Sequence, residues 1–312
     1  MSFVGAVLET QHVEVPFVDS CADGATDCVE GEPQTHDQSI ALGEVRLHAD
    51  LGLSSWLAAS VMVPLRIVRS DITYLDVDGN VLPFASDIHH RDETLVGLGD
   101  PWVLLRHAGA VDRWRYGLRL GVSLPFGRTE PDPYRLGELG LTHQHVQDGT
   151  GTFDPIAGLE GSLDAPPLRL HAWAIGRFSL YENEHGYRAG QRVTGHLGLS
   201  SALGTSWLRA RIGTEASVET PERWHGQVPE GEGNQGRLDV VLATGLTAWT
   251  GDVELFATVR TPLITHVEGG QLRAPLTLEL GVAWSPALWS ADEDDDDVHG
   301  HDHGGDGHDH DH

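Results

Sequence analysis

The sequence lacks lysine altogether, so arginine supplies all 20 basic side chains against 47 aspartates and glutamates, and the net charge is −27 at pH 7. The phosphates of nucleic acids bind to basic surfaces, which excludes a nucleic-acid partner. The chain also lacks any run of 18 consecutive apolar residues, which excludes a transmembrane helix. Its 312 residues suffice for two ordinary domains or for one large all-β domain.

Cysteine is scarce, and the start of the chain has no signal-peptide pattern. Residues 1–5 lack a basic segment and a long apolar segment, so we expect either a cytoplasmic protein or a chain that begins after a removed leader. The two cysteines, Cys21 and Cys28, fit no usual zinc or redox spacing. In an exported protein we expect them to form a disulfide in a long outward loop, and the alternative is a pair of free thiols.

The most frequent pattern in the sequence is the period-two alternation of apolar and polar residues. In residues 113–126, RWRYGLRLGVSLPF, the even positions are apolar or aromatic, whereas the odd positions are arginine, glycine, serine or proline. This pattern is typical of a β-strand with one apolar and one polar face. It recurs in residues 41–51, 206–219 and 273–284, and more weakly in 168–181, 190–203, 236–249 and 252–262. Residues 95–107 are mixed, and their neighbours indicate a strand.

The connections predict how these strands are joined. Short links such as GAVDR and WTGD alternate with long polar ones, and an N-terminal strand near residues 3–16 brings the total to about twelve. We therefore predict an all-β fold, a single closed antiparallel transmembrane β-barrel with short periplasmic turns and long outer loops. The barrel is expected in residues 1–290, followed by a disordered tail in residues 291–312.

A soluble β-barrel or sandwich shows the same alternation with its apolar face turned inward. The interior of a barrel well beyond eight strands is too wide for side chains to fill, so an inward apolar face would line a void. Trp114 and Phe126 are twelve residues apart, which at ~3.3 Å per residue and a tilt of about 40° spans roughly 30 Å. This height favours an apolar membrane band between two aromatic girdles, in the outer membrane of a Gram-negative bacterium.

Three segments resemble motifs of a known family. GLGDPWVLLRH at 97–107, LPFGRTEPDP at 124–133 and GTGTFDPIAGLEGSL at 149–163 are similar to the strand boundaries of the outer-membrane transporters associated with meta-pathway phenol degradation. The resemblance implies an exported outer-membrane barrel with a role in the passage of small molecules. The His/Asp tail departs from the family pattern, and nothing in the sequence supports an aromatic substrate.

If the apolar faces contact lipid, the opposite faces line the lumen with charges of both signs, as a channel requires. The predicted lumen-lining residues are Glu44, Arg46, His48, Asp50, Arg113, Arg115, Arg119, Arg169, His171, Arg177, Arg209, Arg211, Glu215, Arg237, Asp239, Glu254, Arg260, Arg273 and Glu279. The alternative is that many of them form ion pairs that stiffen and partly plug the lumen. The long loops are acidic, which favours cations at the mouth or, equally, divalent ions bridging to lipopolysaccharide.

An enzyme is not expected. His89, His90, His143 and His145 lie in predicted loops, but no GxSxG elbow or HExxH helix accompanies them. In an extended segment, His143 and His145 would lie on one face and could supply two metal ligands, but the sequence assigns no third ligand. We interpret these histidines as polar surface residues.

The tail alternates imidazoles and carboxylates after the acidic run ADEDDDDV. Its six histidines, His299, His301, His303, His308, His310 and His312, are good ligands for zinc, nickel or copper, and its glycines favour disorder. We predict that the tail lies on the periplasmic side and binds divalent metals with low specificity; the alternative is a solubilising terminus.

The predicted function of the whole chain is an outer-membrane channel or transporter for small solutes. No cofactor is expected to be required. The alternative is a structural or surface-binding barrel whose lumen is plugged.

Overall fold

The structure is a computed structural model, and it describes residues 1–14, 17–18, 29–30, 33–82, 92–229, 233–268 and 274–286. Cys21, Cys28, His89, His90 and Arg273 lie outside these residues, as do the six tail histidines. The disulfide and the metal-binding tail therefore stay predictions.

Twelve antiparallel strands build one sheet, with the fourth strand in two segments. They are β1 (Ser2–Glu14), β2 (Gln34–Gly52), β3 (Leu57–Leu75), β4 (Glu93–Leu98 and Trp102–Val111), β5 (Trp114–Ser123), β6 (Asp154–Ala165), β7 (Leu168–Arg177), β8 (Arg192–Ala202), β9 (Leu208–Glu219), β10 (Arg237–Thr250), β11 (Val253–Val267) and β12 (Thr277–Trp284).

The sheet closes because β1 pairs with both β2 and β12. Phe3 lies opposite Val45 on one side and Leu280 on the other. The amino group of Met1 also donates to the carbonyl of Val282 at 2.8 Å. From Ser2 to Ala6, β1 is paired on both sides, so the described sheet has no open seam there, as a barrel in lipid requires. The predicted all-β fold, a closed antiparallel barrel of twelve strands, is confirmed.

A register shift divides β4 at Gly99, Asp100 and Pro101. Both segments pair with β3, but Leu98 lies opposite Leu65 and Trp102 lies opposite Met62, so one extra residue separates them on β4. An extra residue moves all later side chains to the other face of the sheet. Val96 is therefore exposed on the outside before the break, and Val103 and Leu105 after it. This shift explains why residues 95–107 show no single alternation.

The two ends of the barrel differ in their connections, as predicted. Short turns join strands at one end, through residues 53–56, 112–113, 166–167, 203–207 and 251–252. The connections at the other end are longer, and the longest joins β5 to β6 through residues 124–153. Strand β1 starts and β12 ends at the short-turn end, because Ser2 pairs near the end of β2 and Trp284 pairs with Val253.

The apolar side chains of the strands lie on the outside of the barrel. On β5, Leu118 and Leu120 are 43% and 52% exposed, whereas Arg119 between them forms an ion pair with Glu160. The exposed outward residues include Val61, Leu65, Ile67, Leu105, Leu159, Leu197, Leu199, Ile212, Leu246, Leu255, Leu278 and Leu280. Exposed aromatic residues stand at both ends of this surface, with Trp56, Trp114, Tyr116 and Trp284 near the short turns and Phe126, Phe153 and Tyr181 near the long loops. An apolar belt between two aromatic girdles is typical of a barrel that contacts lipid.

The described parts of the long loops contain little regular structure. The described residues include one short helix, Pro133–Glu138, whose first backbone N–H groups donate to the side chain of Asp132. The two-residue strands Tyr187–Arg188 and Arg223–Trp224 pair with each other, as do Phe17–Val18 and Val29–Glu30. In the part of the chain that the structure describes, no helix has the length and apolar character needed to cross a membrane.

Candidate functional site

A chamber of about 760 Å³ occupies the lumen at the short-turn end of the barrel. We call it the basic chamber. Ser55 and Ser206 in two short turns mark its lower rim. Its charged and aromatic lining comprises Arg106, Arg115, Arg169, Arg209, Arg211, His171, Glu160, Glu254, Trp173 and Trp249. Five arginines thus face two glutamates, and the local charge is opposite in sign to the net charge of the chain.

Three of the five arginines are paired with carboxylates. The Arg106 Nε donates to Glu160 Oε1 at 2.9 Å, and Arg119, higher on the wall, binds the other oxygen of the same carboxylate. Arg115 lies 3.4 Å from Asp164, which also binds Arg169. These pairs are partly exposed to the lumen, so water screens them and their effect on stability is small. They fix the positions of three cationic side chains on the wall.

Arg209 and Arg211 differ from the other three. They lie two residues apart on β9 and form no ion pair with a carboxylate of the described residues. The guanidinium of Arg209 stands 6.0 Å from the ring centre of Trp249, and that of Arg211 stands 5.9 Å from the ring centre of Phe256. Arg211 also donates to Thr258 Oγ1 at 3.2 Å. Each guanidinium therefore keeps donors directed at the lumen.

Two histidines lie side by side at the basic chamber, where His171 is part of the lining. The Nε2 atoms of His171 and His196 are 3.3 Å apart, and the ring of Trp173 stacks on His196 with a centroid separation of 5.6 Å. A Cβ at Gly198 would lie 2.6 Å from His196 Nε2. Glycine at this position therefore allows both imidazoles to lie against the barrel wall.

Two further ion-pair groups bridge strands at mid-height. Glu44 accepts from Arg46 at 2.6 Å and from Arg66 at 2.8 Å, which joins β2 to β3. Arg260 on β11 donates to Glu215 at 3.3 Å and to Glu279 at 2.9 Å, which joins β9, β11 and β12. The lumen wall at this height is thus charged but locally neutralised.

At the long-loop end, the three family-like motifs meet at one buried carboxylate. Asp100, at the break in β4, is 4% exposed and accepts from the backbone N–H of Gly127 at 2.9 Å, the N–H of Thr150 at 2.7 Å and the Thr150 hydroxyl at 3.0 Å. Hydrogen bonds to an ionised acceptor are about twice as strong as neutral ones. Asp100 therefore binds both ends of the β5–β6 loop, residues 124–153, to the wall. We call this group the Asp100 latch.

Close packing accompanies the Asp100 latch. Asp148 is 2% exposed and lies against Gly97, where an added Cβ would stand 1.9 Å from Asp148 Oδ2. Arg66 donates to the Asp148 carbonyl at 2.8 Å. The β5–β6 loop therefore contacts the glycine of the first β4 segment directly.

The top of the wall also holds one buried and one partly buried carboxylate, Asp154 and Asp239. Asp154 is fully buried, accepts from Thr152 Oγ1 at 2.6 Å and lies 3.9 Å from Arg177. Asp239 binds Arg237 and accepts from Thr265 at 3.0 Å. Hydrogen-bonded carboxylates of this kind mark a packed region rather than an open passage.

The acidic residues of the described loops are also engaged locally. Asp76 accepts from the backbone N–H groups of Asp78 and Asn80, and hydrogen bonds from Asn80 lower the pKa of the Asp76 carboxyl. Asp92 accepts from the N–H of Ile72 at 2.7 Å. These contacts stabilise turns, so the acidic loops serve local structure in addition to their charge.

The structure brings together only part of the predicted lumen set. Arg115, Arg169, His171, Arg209, Arg211 and Glu254 line the basic chamber, while Glu44, Arg46, Arg119, Arg177, Glu215, Arg237, Asp239, Arg260 and Glu279 form the ion pairs above. Asp50 binds the hydroxyl of Ser60, and His48 lies opposite Met62. Arg113 lies in the two-residue turn between β4 and β5 instead of in a strand, so it stands at the rim.

Several lumen residues are not among those that the sequence predicts. Arg66, Glu160, Asp164 and His196 contact predicted residues, and Arg106 binds Glu160. Arg106 follows the register shift, and Glu160 and Asp164 belong to a segment that was interpreted through its glycines. The alternation of β6, with Leu159 outside and Glu160 inside, was the available signal.

Of the loop histidines, the structure describes His143 and His145. Their rings meet edge to face with a centroid separation of 5.0 Å, and Leu141 O lies 2.9 Å from His143 Nδ1. His143 is buried, so its interpretation as a surface residue is wrong. Among the described residues, no group of three or more histidine, cysteine, aspartate or glutamate side chains is arranged to hold a metal ion.

Comparison with known proteins relates the fold to outer-membrane barrels. No protein-family model matches the chain, and no curated protein matches it. Among solved structures, an outer membrane channel from Pseudomonas putida F1 is similar at a TM-score of 0.53 and 13% identity, covering 90% of this chain and 94% of that chain. The β domain of the Bordetella autotransporter BrkA is similar at a TM-score of 0.40 and 15% identity, covering 91% and 98% of the two chains. A Pseudomonas aeruginosa FadL homologue gives a TM-score of 0.39 at 10% identity, covering 91% and 89%. At this identity the first likeness shows a shared fold.

Proposed function

We propose that this protein is an outer-membrane channel through which small polar solutes pass, in a Gram-negative bacterium. The observation that carries the proposal is the inversion of the barrel, with leucine, valine and isoleucine side chains exposed outside and a charged chamber of about 760 Å³ inside. An exposed apolar belt of this extent is unfavourable in water and favourable in lipid.

The likeness to the Pseudomonas putida channel supports this proposal through the fold it shares with this chain. The phenol meta-pathway association that the sequence motifs imply gains no support from the lumen chemistry, because the described lining is dominated by charged side chains. We therefore propose a polar solute without assigning it to that pathway.

A structural or surface-binding barrel with a plugged lumen is the alternative function. The Asp100 latch favours it, since the latch holds the 124–153 loop against the wall with charge-assisted hydrogen bonds. A channel with this arrangement needs either a route beside the loop or release of the latch.

Conductance in planar lipid bilayers separates the two functions. We expect discrete single-channel steps from purified wild-type protein, and a larger step after the latch is removed by Asp100→Ala. The Asp252→Ala variant, in an exposed turn at the opposite end, is the matched control and should conduct as the wild type does. If neither the wild type nor Asp100→Ala conducts at any voltage, the channel proposal is wrong and the structural role replaces it.

We further propose that the His/Asp tail binds divalent transition metals on the periplasmic side. Strand β12 ends at the short-turn end, which places the start of the tail there if the short turns face the periplasm. As a flexible coil, its 22 residues have a root-mean-square span of roughly 25 Å, which reaches the pore exit. Acidic loop residues at the other end are proposed to bind divalent ions that bridge to lipopolysaccharide.

Calorimetry with zinc or nickel tests the tail directly. The full chain should take up metal reversibly, and a chain that ends at Ala291 should lose most of this uptake. Equal uptake by the two chains would show that the tail is not the binding site. Growth under zinc limitation and zinc excess, with and without the tail, tests whether metal handling is part of the function.

A further inference from the structure

We propose that Arg209 and Arg211 form a binding site for small organic carboxylates in the basic chamber. This inference rests on the proposed channel function for the route by which a solute reaches the chamber. It adds the chemical class of the solute to that function and reverses the cation preference that the acidic loops alone suggest.

The first argument is charge. Five arginines and two glutamates line the chamber, and the carboxylates of Glu160 and Asp164 bind Arg106, Arg115 and Arg169. No carboxylate of the described residues pairs with Arg209 or Arg211. Two cations in a confined space with low-dielectric walls repel each other and attract an anion more strongly than they would in bulk water.

The second argument is donor geometry. A guanidinium has five N–H donors in a planar fork that fits the two oxygens of a carboxylate. Arg211 uses one donor on Thr258, while the Arg209 guanidinium stands 6.0 Å from the ring centre of Trp249 and donates no hydrogen bond to a described residue, so donors of both forks stay available. Positions two apart on one strand are separated by about 6.6 Å, and both side chains face the same side of the sheet. One dicarboxylate of short carbon chain can contact both.

The third argument is an unpartnered hydroxyl beside the pair. Thr247 lies directly opposite Arg209 on β10 and lines the chamber. It is 2% exposed, and its Oγ1 has no hydrogen-bond partner among the described residues. A buried hydroxyl without a partner is unfavourable, and a carboxylate oxygen held by Arg209 supplies an acceptor for it.

Binding of succinate to the detergent-solubilised full chain tests the site without any need for conduction. Calorimetry should show succinate binding to the wild type, and the double variant Arg209→Gln, Arg211→Gln should bind at least ~10-fold more weakly because both charge-assisted contacts are lost. Butane-1,4-diol, which has the same carbon chain without charge, should not bind. Arg69→Gln is the matched control, since Arg69 is exposed outside the barrel and pairs with Asp71.

Two further measurements remove the ambiguity of a misfolded variant. Thr247→Val keeps the shape of the side chain and removes the hydroxyl, so it should weaken succinate binding several-fold. Raising the salt concentration should weaken binding to the wild type, because screening reduces the attraction between ions. Absence of succinate binding by the wild type, equal binding by the double variant, or binding that salt does not change overturns the inference.

Bilayer recordings then separate the inference from the proposed function. A wild type that conducts with chloride more permeable than potassium, and loses this preference in the double variant, supports both. A wild type that conducts but favours potassium overturns the carboxylate site and leaves the channel. A wild type that binds succinate without conducting retains the site and overturns the channel.

Discussion

The two ends of the same lumen use charge in different ways. At the long-loop end, the carboxylates of Asp100 and Asp154 are buried, and backbone N–H groups, hydroxyls and an arginine surround them. At the short-turn end, arginines outnumber carboxylates, and two of them have no ionic partner in the described part of the chain. The strands that form both ends are continuous, so the difference lies in the inward side chains and the loops.

This contrast indicates that the two ends of the barrel have different roles. The buried Asp100 carboxylate holds a loop in place and is unavailable to a solute, because each of its oxygens already accepts a hydrogen bond. Unpaired guanidiniums in an open chamber remain available to a solute. Under the proposed channel function, the long-loop end would control access, whereas the short-turn end would control which solutes are held.

The largest expected effect comes from breaking the Asp100 latch. Asp100→Ala removes one charged acceptor and leaves the N–H groups of Gly127 and Thr150 without it. Hydrogen bonds to charged groups contribute about 1.5–3 kcal/mol, so local opening of the 124–153 loop should become at least ~10-fold more favourable. Trypsin cleavage of the folded barrel after Arg128 or Arg135 measures this opening.

Asp252→Ala is the control for this experiment, because its carboxylate lies in an exposed short turn at the other end. Its cleavage rate should equal that of the wild type, and both variants should keep the heat-dependent gel migration of a folded barrel. Unchanged cleavage in Asp100→Ala would mean that the latch does not hold the loop, and the proposed division between the ends would fail.

A second, smaller effect is expected at the short-turn end. Glu160→Gln removes the carboxylate shared by Arg106 and Arg119, which adds one unit of positive charge to the basic chamber. The permeability of chloride relative to potassium should rise by about two- to five-fold through the stronger local field. Reversal potentials in a potassium chloride gradient measure this ratio.

The control is Glu184→Gln, which removes the same charge from an outer-loop side chain that is 83% exposed. It should leave the permeability ratio close to that of the wild type. A larger change in Glu184→Gln than in Glu160→Gln would locate the selectivity at the outer mouth, as the acidic loops by themselves predict.

The sequence predicts one end of the lumen better than the other. The alternation on β5 and β9 assigns Arg115, Arg209 and Arg211 to the inward face, because a strand of unbroken register fixes which face each side chain occupies. The same reasoning fails on β4, because the extra residue at the Gly99 to Pro101 break reverses which face each later side chain occupies. The alternation therefore does not predict that Arg106 faces the lumen.

The sequence patterns do not predict the Asp100 latch, and the reason is different. The motifs around Gly97, Gly127 and Thr150 were interpreted as turn signals, and each is consistent with that interpretation in isolation. Only tertiary structure brings three segments about 25 residues apart in sequence to one carboxylate. Their hydrogen bonds depend on strand pairing between β4, β5 and β6, which local patterns do not specify.

The smallest expected effect is a pH dependence confined to the long-loop end. Glu222 is half-buried between β9 and β10 and accepts from the Tyr134 hydroxyl at 3.3 Å, which joins its loop to the short helix of the 124–153 loop. Burial raises the pKa of the Glu222 carboxyl, and hydrogen bonds such as the one from Tyr134 oppose this only in part. A raised pKa in the folded state means that folding favours the protonated form. The resulting stabilisation is present below the pKa of an unfolded glutamate and is lost as pH rises through the folded-state pKa.

Hydrogen exchange of the segment around residues 131–140, corrected for the intrinsic effect of pH, measures this contact. In the wild type, protection should fall as pH rises from the ordinary range of a glutamate through the higher range in which Glu222 ionises. Glu222→Gln keeps an acceptor for Tyr134 and removes the ionisation, so its protection should stay constant over that range. Short-turn peptides such as residues 251–252 should show no difference between the two proteins, because they lie at the other end of the barrel. A wild type whose protection rises with pH would show that ionised Glu222 strengthens the contact, and the charge of this residue would then act like that of Asp100.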